Sequence, residues 1–169
     1  MQLHWHRRDL RLADNHGLAA ASGRPVGLFV FDEAVLEHAG APRVVFLLEC
    51  LDELRSAYRK RDSELLVRRG DPAEVVPNVA EAIAAATVSW NRDYSGLARD
   101  RDERVSTALA TVDASVETCH DAICHEPGSI TTNAGDPYSV YTYFWKKWRD
   151  REKADPFSIP TLAESVIDD

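Results

Sequence analysis

Short apolar runs alternate along this chain with stretches whose apolar residues recur every three to four positions. That alternation predicts repeated βα units around a parallel sheet. Strands are expected at 2–6, 25–31, 64–68, 87–92 and 115–119. Between the second and third, Val44, Leu47, Leu48, Leu51, Leu54 and Tyr58 share one face of a helix over 42–60, with Pro42 in its first turn. Asp71, Pro72 and Glu74 supply an N-cap, an N1 proline and a capping-box acid for the next helix, which Pro77 is expected to kink. Leu97, Arg101, Val105 and Leu109, four residues apart, predict a helix whose apolar stripe begins with a guanidinium. From 154 to 169, Pro156, Pro160 and small polar residues predict a linker, so the folded domain is expected to span 1–153.

Composition narrows the class of molecule. At 169 residues the chain suits one domain with a substantial core, and no apolar run approaches a membrane span. A formal charge of −8 disfavours direct nonspecific attraction to nucleic-acid phosphates. Tyr138, Tyr141, Tyr143, Phe144, Trp145 and Trp148 interleave with Lys146, Lys147 and Arg149, a pattern that can stack on single-stranded nucleic acid. The acidic total and the short length of the cluster favour an apolar contact surface instead. Three cysteines without framework spacing point to a reducing, cytoplasmic compartment.

Candidate chemistry is sparse. The Gly70-Asp71-Pro72 turn lacks the glycine pattern of a phosphate cradle. Two thiols and two imidazoles fall within 119–125, but no distant ligand pair completes a zinc site, and His4 and His6 on the first strand are read the same way, so no metal is expected. Arg101 and Arg43, each on an inward helix face, call for planar anionic partners; Asp93 or a bound ligand would serve Arg101.

Five segments in order make the chain more specific: Trp5-His6-Arg7-Arg8-Asp9-Leu10-Arg11-Leu12-Ala13-Asp14-Asn15; Leu28 to Asp32; Val67 to Pro72; Val88 to Tyr94, followed by Arg101-Asp102; and Gly135 to Phe144. Together they resemble the amino-terminal α/β domain of DNA photolyases and cryptochromes. The resemblance implies a Rossmann-like five-stranded parallel sheet of order 3-2-1-4-5 with helices on both faces. It also implies a large helical domain, holding FAD and damaged DNA, beyond Asp169. No residue of this chain is nominated as catalytic, and DNA is expected to be met only through that helical domain.

In such a sheet, ligands sit outside the carboxyl ends of the strands where the order reverses. The resemblance places a light-harvesting chromophore there, with Phe29, Phe31, Asp32, Arg43, Leu47, Asp93 and Arg101 as its contacts, and Arg8, Asp9, Tyr138 and Phe144 at the junction with the helical domain. Folate-binding relatives carry an Asn-Glu pair where this chain has Leu97 and Ala98, whereas deazaflavin-binding relatives resemble it at Arg43, Asp93 and Arg101. A deazaflavin antenna is therefore expected over folate, with an empty or FMN-filled pocket as the alternative. The implied parent enzyme splits cyclobutane pyrimidine dimers by light-driven electron transfer from reduced FAD. Competing readings are a cryptochrome photoreceptor domain and a free-standing nucleotide-binding α/β domain.

Overall fold

The computed structural model describes residues 1–164. Its elements run β1 (Gln2–His6), α1 (His16–Ala19), β2 (Pro25–Phe31), α2 (Glu33–Leu36), α3 (Ala41–Arg59), β3 (Leu65–Arg69), α4 (Pro72–Ala82), β4 (Thr87–Asn91), α5 (Gly96–Leu109), a 3-10 turn (Ala110–Val112), β5 (Ser115–Cys119) and α6 (Tyr141–Asp150). All strand pairings are parallel, and the order is β3-β2-β1-β4-β5, as expected.

Strand alternation sorts side chains into two layers. Leu3 and Trp5 of β1, Val26, Leu28 and Val30 of β2, and Val88 and Trp90 of β4 meet Val76 and Val79 of α4 and Val105 and Leu109 of α5. On the opposite face, Phe29 and Leu65 pack with Leu18 of α1 and with Leu51, Leu54 and Tyr58 of α3. Each fully buried large apolar side chain contributes roughly 1.5–3 kcal/mol. Close packing on this face depends on Gly27, since a Cβ there would lie 2.3 Å from the Tyr58 hydroxyl.

The same alternation buries a polar set beneath α1: Gln2, His4 and His6 of β1, with Ser89 and Asn91 of β4. Asn91 donates to Asp9 Oδ2 at 2.7 Å and to Asn15 Oδ1 at 2.8 Å, and accepts from the Gly17 amide at 2.8 Å. It therefore ties the β4 end to the turn after β1. Asn15 also caps α1 by accepting from the Leu18 amide.

Two local expectations change. The helix α4 continues through Pro77, which is buried, with Asp71 as N-cap accepting from the Ala73 amide at 2.9 Å. Of the stretch read as a linker, residues 154–164 form no helix or strand yet return across the domain. Phe157 stacks on His16 at 4.4 Å and exchanges hydrogen bonds with Asp14, the Ala163 amide donates to the Pro25 carbonyl, and Leu162 and Ala163 are buried. The remainder, 165–169, lies outside the described residues.

Candidate chromophore site

Pairing between β1 and β4 stops at His4↔Ser89, whereas β1 and β2 remain paired to His6↔Phe29. The central strands therefore part at their carboxyl ends, which opens the crevice expected where strand order reverses. A cavity of about 330 Å³ occupies it, within the range of small-molecule sites. Phe29, Val30 and Phe31 form its floor with Trp5; Val35 and Leu36 of α2 and Leu47 of α3 form one wall; Ser95, Leu97 and Ala98 form the other, at the amino end of α5. Phe29 and Phe31 meet edge to face at 5.1 Å, so the floor is aromatic and fixed.

Polar groups enter this apolar cup at its rim. Arg101 is the informative one. Its Nη1 lies 3.6 Å from Asp32 Oδ2 and its Nε 3.8 Å from Asp102 Oδ1, both beyond hydrogen-bond length, and its buried Nε has no hydrogen-bond partner. The guanidinium lies 5.2 Å from the Trp5 ring centroid. It is thus held by charge and by an aromatic face, with donor capacity directed into the site. Asp32 meanwhile caps α2 by accepting from Ala34 at 3.0 Å.

Arg7 is a contrasting guanidinium, fully committed to the protein. It donates to the Asp102 carboxylate and the Asn91 carbonyl, and lies 5.1 Å from the Trp5 ring on its own account. Asp102 also accepts from Trp90 Nε1 at 3.1 Å. Burial pushes the Asp102 carboxyl above its usual range against the pull of Arg7 and Arg101, and lowers Arg7 against the pull of Asp102. Each ion tolerates its place because the other is there.

Asp93 stands opposite. Burial alone would raise its carboxyl, but the Ser95 amide at 3.1 Å and the charges of Arg8 and Arg7 outweigh that and hold it below the ordinary aspartate value. Arg8 reaches it at 3.5 Å from an exposed position.

Of the seven residues expected at the chromophore, Phe29, Phe31, Asp32, Leu47, Asp93 and Arg101 line this one cavity. Arg43 does not. The first turn and a half of α3 overhangs the sheet, so Arg43 is exposed although it shares a helical face with Leu47. Leu97 likewise begins the α5 stripe but is 60% exposed over the cavity mouth, while Val105 and Leu109 are fully buried. Of the expected junction residues, Arg8 lies on the cavity rim, and Tyr138 and Phe144 are half-buried. Asp9 corrects the expectation: it is 6% exposed, turned inward by Asn15 and Asn91, and offers no surface to a partner. Sequence reasoning gave Asp102 no role. Its signal was its place in the Arg101-Asp102 pair, on the side of α5 that faces Trp90.

Residues 2–161 match the DNA photolyase family. The chain belongs to that family. A deoxyribodipyrimidine photo-lyase of Halobacterium salinarum is 52% identical to it, over 99% of this chain and 37% of the relative. The crystal structure of a bacterial class III photolyase from Agrobacterium tumefaciens superposes with a TM-score of 0.85 at 27% identity, covering 98% of this chain and 35% of that one. An archaeal photolyase from Sulfolobus tokodaii, solved with two FAD molecules, gives 0.83 at 24% identity, covering 98% and 38%, and so supports the fold. This photolyase-family chain spans little more than a third of the length of these relatives. Among its described residues, no helix is long and apolar enough to cross a membrane.

Proposed function

We propose that this chain is the light-harvesting domain of a deoxyribodipyrimidine photolyase and that the cavity holds a deazaflavin antenna. The observation that carries the reading is Arg101, a guanidinium with an unsatisfied buried Nε at the rim of an aromatic cup. A flat heteroaromatic with an anionic phenolic edge matches both halves of that surface, its ring against Phe29 and Phe31 and its oxygen toward Arg101. Leu97 and Ala98, which replace the Asn-Glu pair of folate-binding relatives, lie in the cavity wall, so the donors and acceptors that would fix a pterin are not there. The Sulfolobus tokodaii structure, with its two FAD molecules and implied novel light-harvesting cofactor, supports a flavin-like occupant of this fold.

On this reading the parent enzyme repairs cyclobutane pyrimidine dimers by light-driven electron transfer from reduced FAD held in a helical domain. That domain is the partner of the present one and the route to DNA. Two exposed aromatics of α6, Tyr141 at 74% and Tyr143 at 60%, support such a contact. The cytoplasm is its proposed location.

The test is equilibrium titration of the purified chain with deazaflavin, folate and FMN, read by absorbance and quenching. Deazaflavin is expected to bind tightest. Arg101→Ala should weaken it about tenfold or more, the equivalent of roughly 1.4 kcal/mol, while Arg43→Ala leaves it within about twofold. Equal affinity in the wild type and Arg101→Ala would reject the assignment.

A further inference from the structure

Beneath α1, away from the chromophore cavity, His4, His6 and Asp9 bring one ligand atom each to within 4.8 Å of one another, and all three are buried. We propose that they form a structural site for a divalent transition-metal ion that fastens β1 to the arginine-rich turn following it.

Two unpartnered atoms point to a ligand. His4 Nε2 has no hydrogen-bond partner although His4 is 0% exposed, and Asp9 Oδ1 has none although Asp9 is 6% exposed. Native interiors rarely leave such atoms unpaired. They belong to a facing pair, since His4 Nε2 lies 3.8 Å from Asp9 Oδ2. That separation exceeds a hydrogen bond, yet suits two ligands on one ion at about 2.0–2.2 Å from each.

The surroundings hold the ligands as an outer shell does. His4 Nδ1 is anchored at 3.0 Å to Ser89 Oγ, which itself donates to the Gly17 carbonyl, leaving Nε2 as the ligating atom. Asp9 Oδ2 already accepts from Asn15 and Asn91, which fixes the carboxylate with Oδ1 turned to the remaining space. His6 completes the set. Both its nitrogens are engaged, Nε2 with the Tyr58 hydroxyl at 2.8 Å and Nδ1 with the Asp9 carbonyl at 3.2 Å, so ligation exchanges one of these bonds for the ion. Two imidazoles and one carboxylate favour zinc, cobalt or nickel over magnesium or calcium, which prefer all-oxygen shells. Sequence reading left His4 and His6 without a third ligand. The inward turn of Asp9 supplies it.

The experiment refolds the full chain from denaturant in metal-free buffer with one equivalent of Co²⁺, desalts it, and measures metal content and visible ligand-field absorption. A parallel sample receives Zn²⁺. About one ion per chain is expected, with a rise in the thermal midpoint that chelation during refolding abolishes. His4→Phe, which removes one ligand while filling a buried position, should retain at least tenfold less metal with native far-UV circular dichroism. Asp9→Asn should do the same, and if it fails to fold, His4→Phe decides. A correctly refolded wild type that retains no metal overturns the site, as does equal retention by His4→Phe, which would place the ion elsewhere.

Discussion

Replacing Asp102 with alanine isolates the interaction that ties α5 to the strand ends. The Arg7 side chain is 5% exposed and that of Asp102 17%, so solvent screens the pair little. Asp102 receives the Arg7 guanidinium on one oxygen and the Trp90 indole N–H on the other. Its loss leaves a buried cation with the Asn91 carbonyl as its main partner, and strands the indole donor. Breaking a buried pair by removing one partner costs about 3–5 kcal/mol. In a chain of this size each kilocalorie corresponds to roughly 2–4 °C in Tm, so a fall of about 6–20 °C is expected. Urea unfolding followed by the fluorescence of buried Trp5 and Trp90 measures it, with an unchanged m value showing that the native fold persists. Asp102→Asn, which keeps acceptor oxygen but not charge, should lose less. Replacing Arg7 and Asp102 together by methionine and leucine should restore much of the loss. If Asp102→Ala costs under about 1 kcal/mol, the pair is not what holds this end of the sheet.

Gly27→Ala drives a methyl into Tyr58, whose hydroxyl bonds His6; overpacking together with the lost bond should destabilise by roughly 2–4 kcal/mol in chemical denaturation. Asp93, held below its ordinary value when folded, stabilises the native state above the unfolded aspartate value near 3.9, and this contribution fades as pH falls through the lower folded value. Stability measured down this acid limb should therefore decline less steeply in Asp93→Asn than in the wild type. Leu162→Ala removes the buried anchor of the returning tail, and should cost about 2–3 kcal/mol together with faster amide exchange at Ala163; a neutral result would make that segment a passive tether.

How far the sequence speaks follows from which interactions are local. Strand alternation placed Leu3, Trp5, Val26, Leu28 and Val30 correctly because the period of two is a property of each strand alone. The α3 pattern of Leu47, Leu51, Leu54 and Tyr58 was legible for the same reason, and all four lie in the layer beneath it. Arg43 was misplaced by spacing because periodicity gives a face and not the point at which a helix leaves the sheet. Asp9 was misread because its orientation depends on Asn91, eighty-two residues away in sequence. The tail composition suggested a free linker, yet two apolar residues at its end, Leu162 and Ala163, find the sheet. The one-turn helices α1 and α2 owe their existence to caps from Asn15 and Asp32 rather than to any periodic signal.

The most direct test of the pocket assignment is a crystal structure of this chain soaked with deazaflavin. The account predicts the ring over Phe29 and Phe31, with its phenolic oxygen within hydrogen-bond distance of Arg101. A pigment bound elsewhere on the domain, or one in the cavity with Arg101 still unbonded, would contradict it.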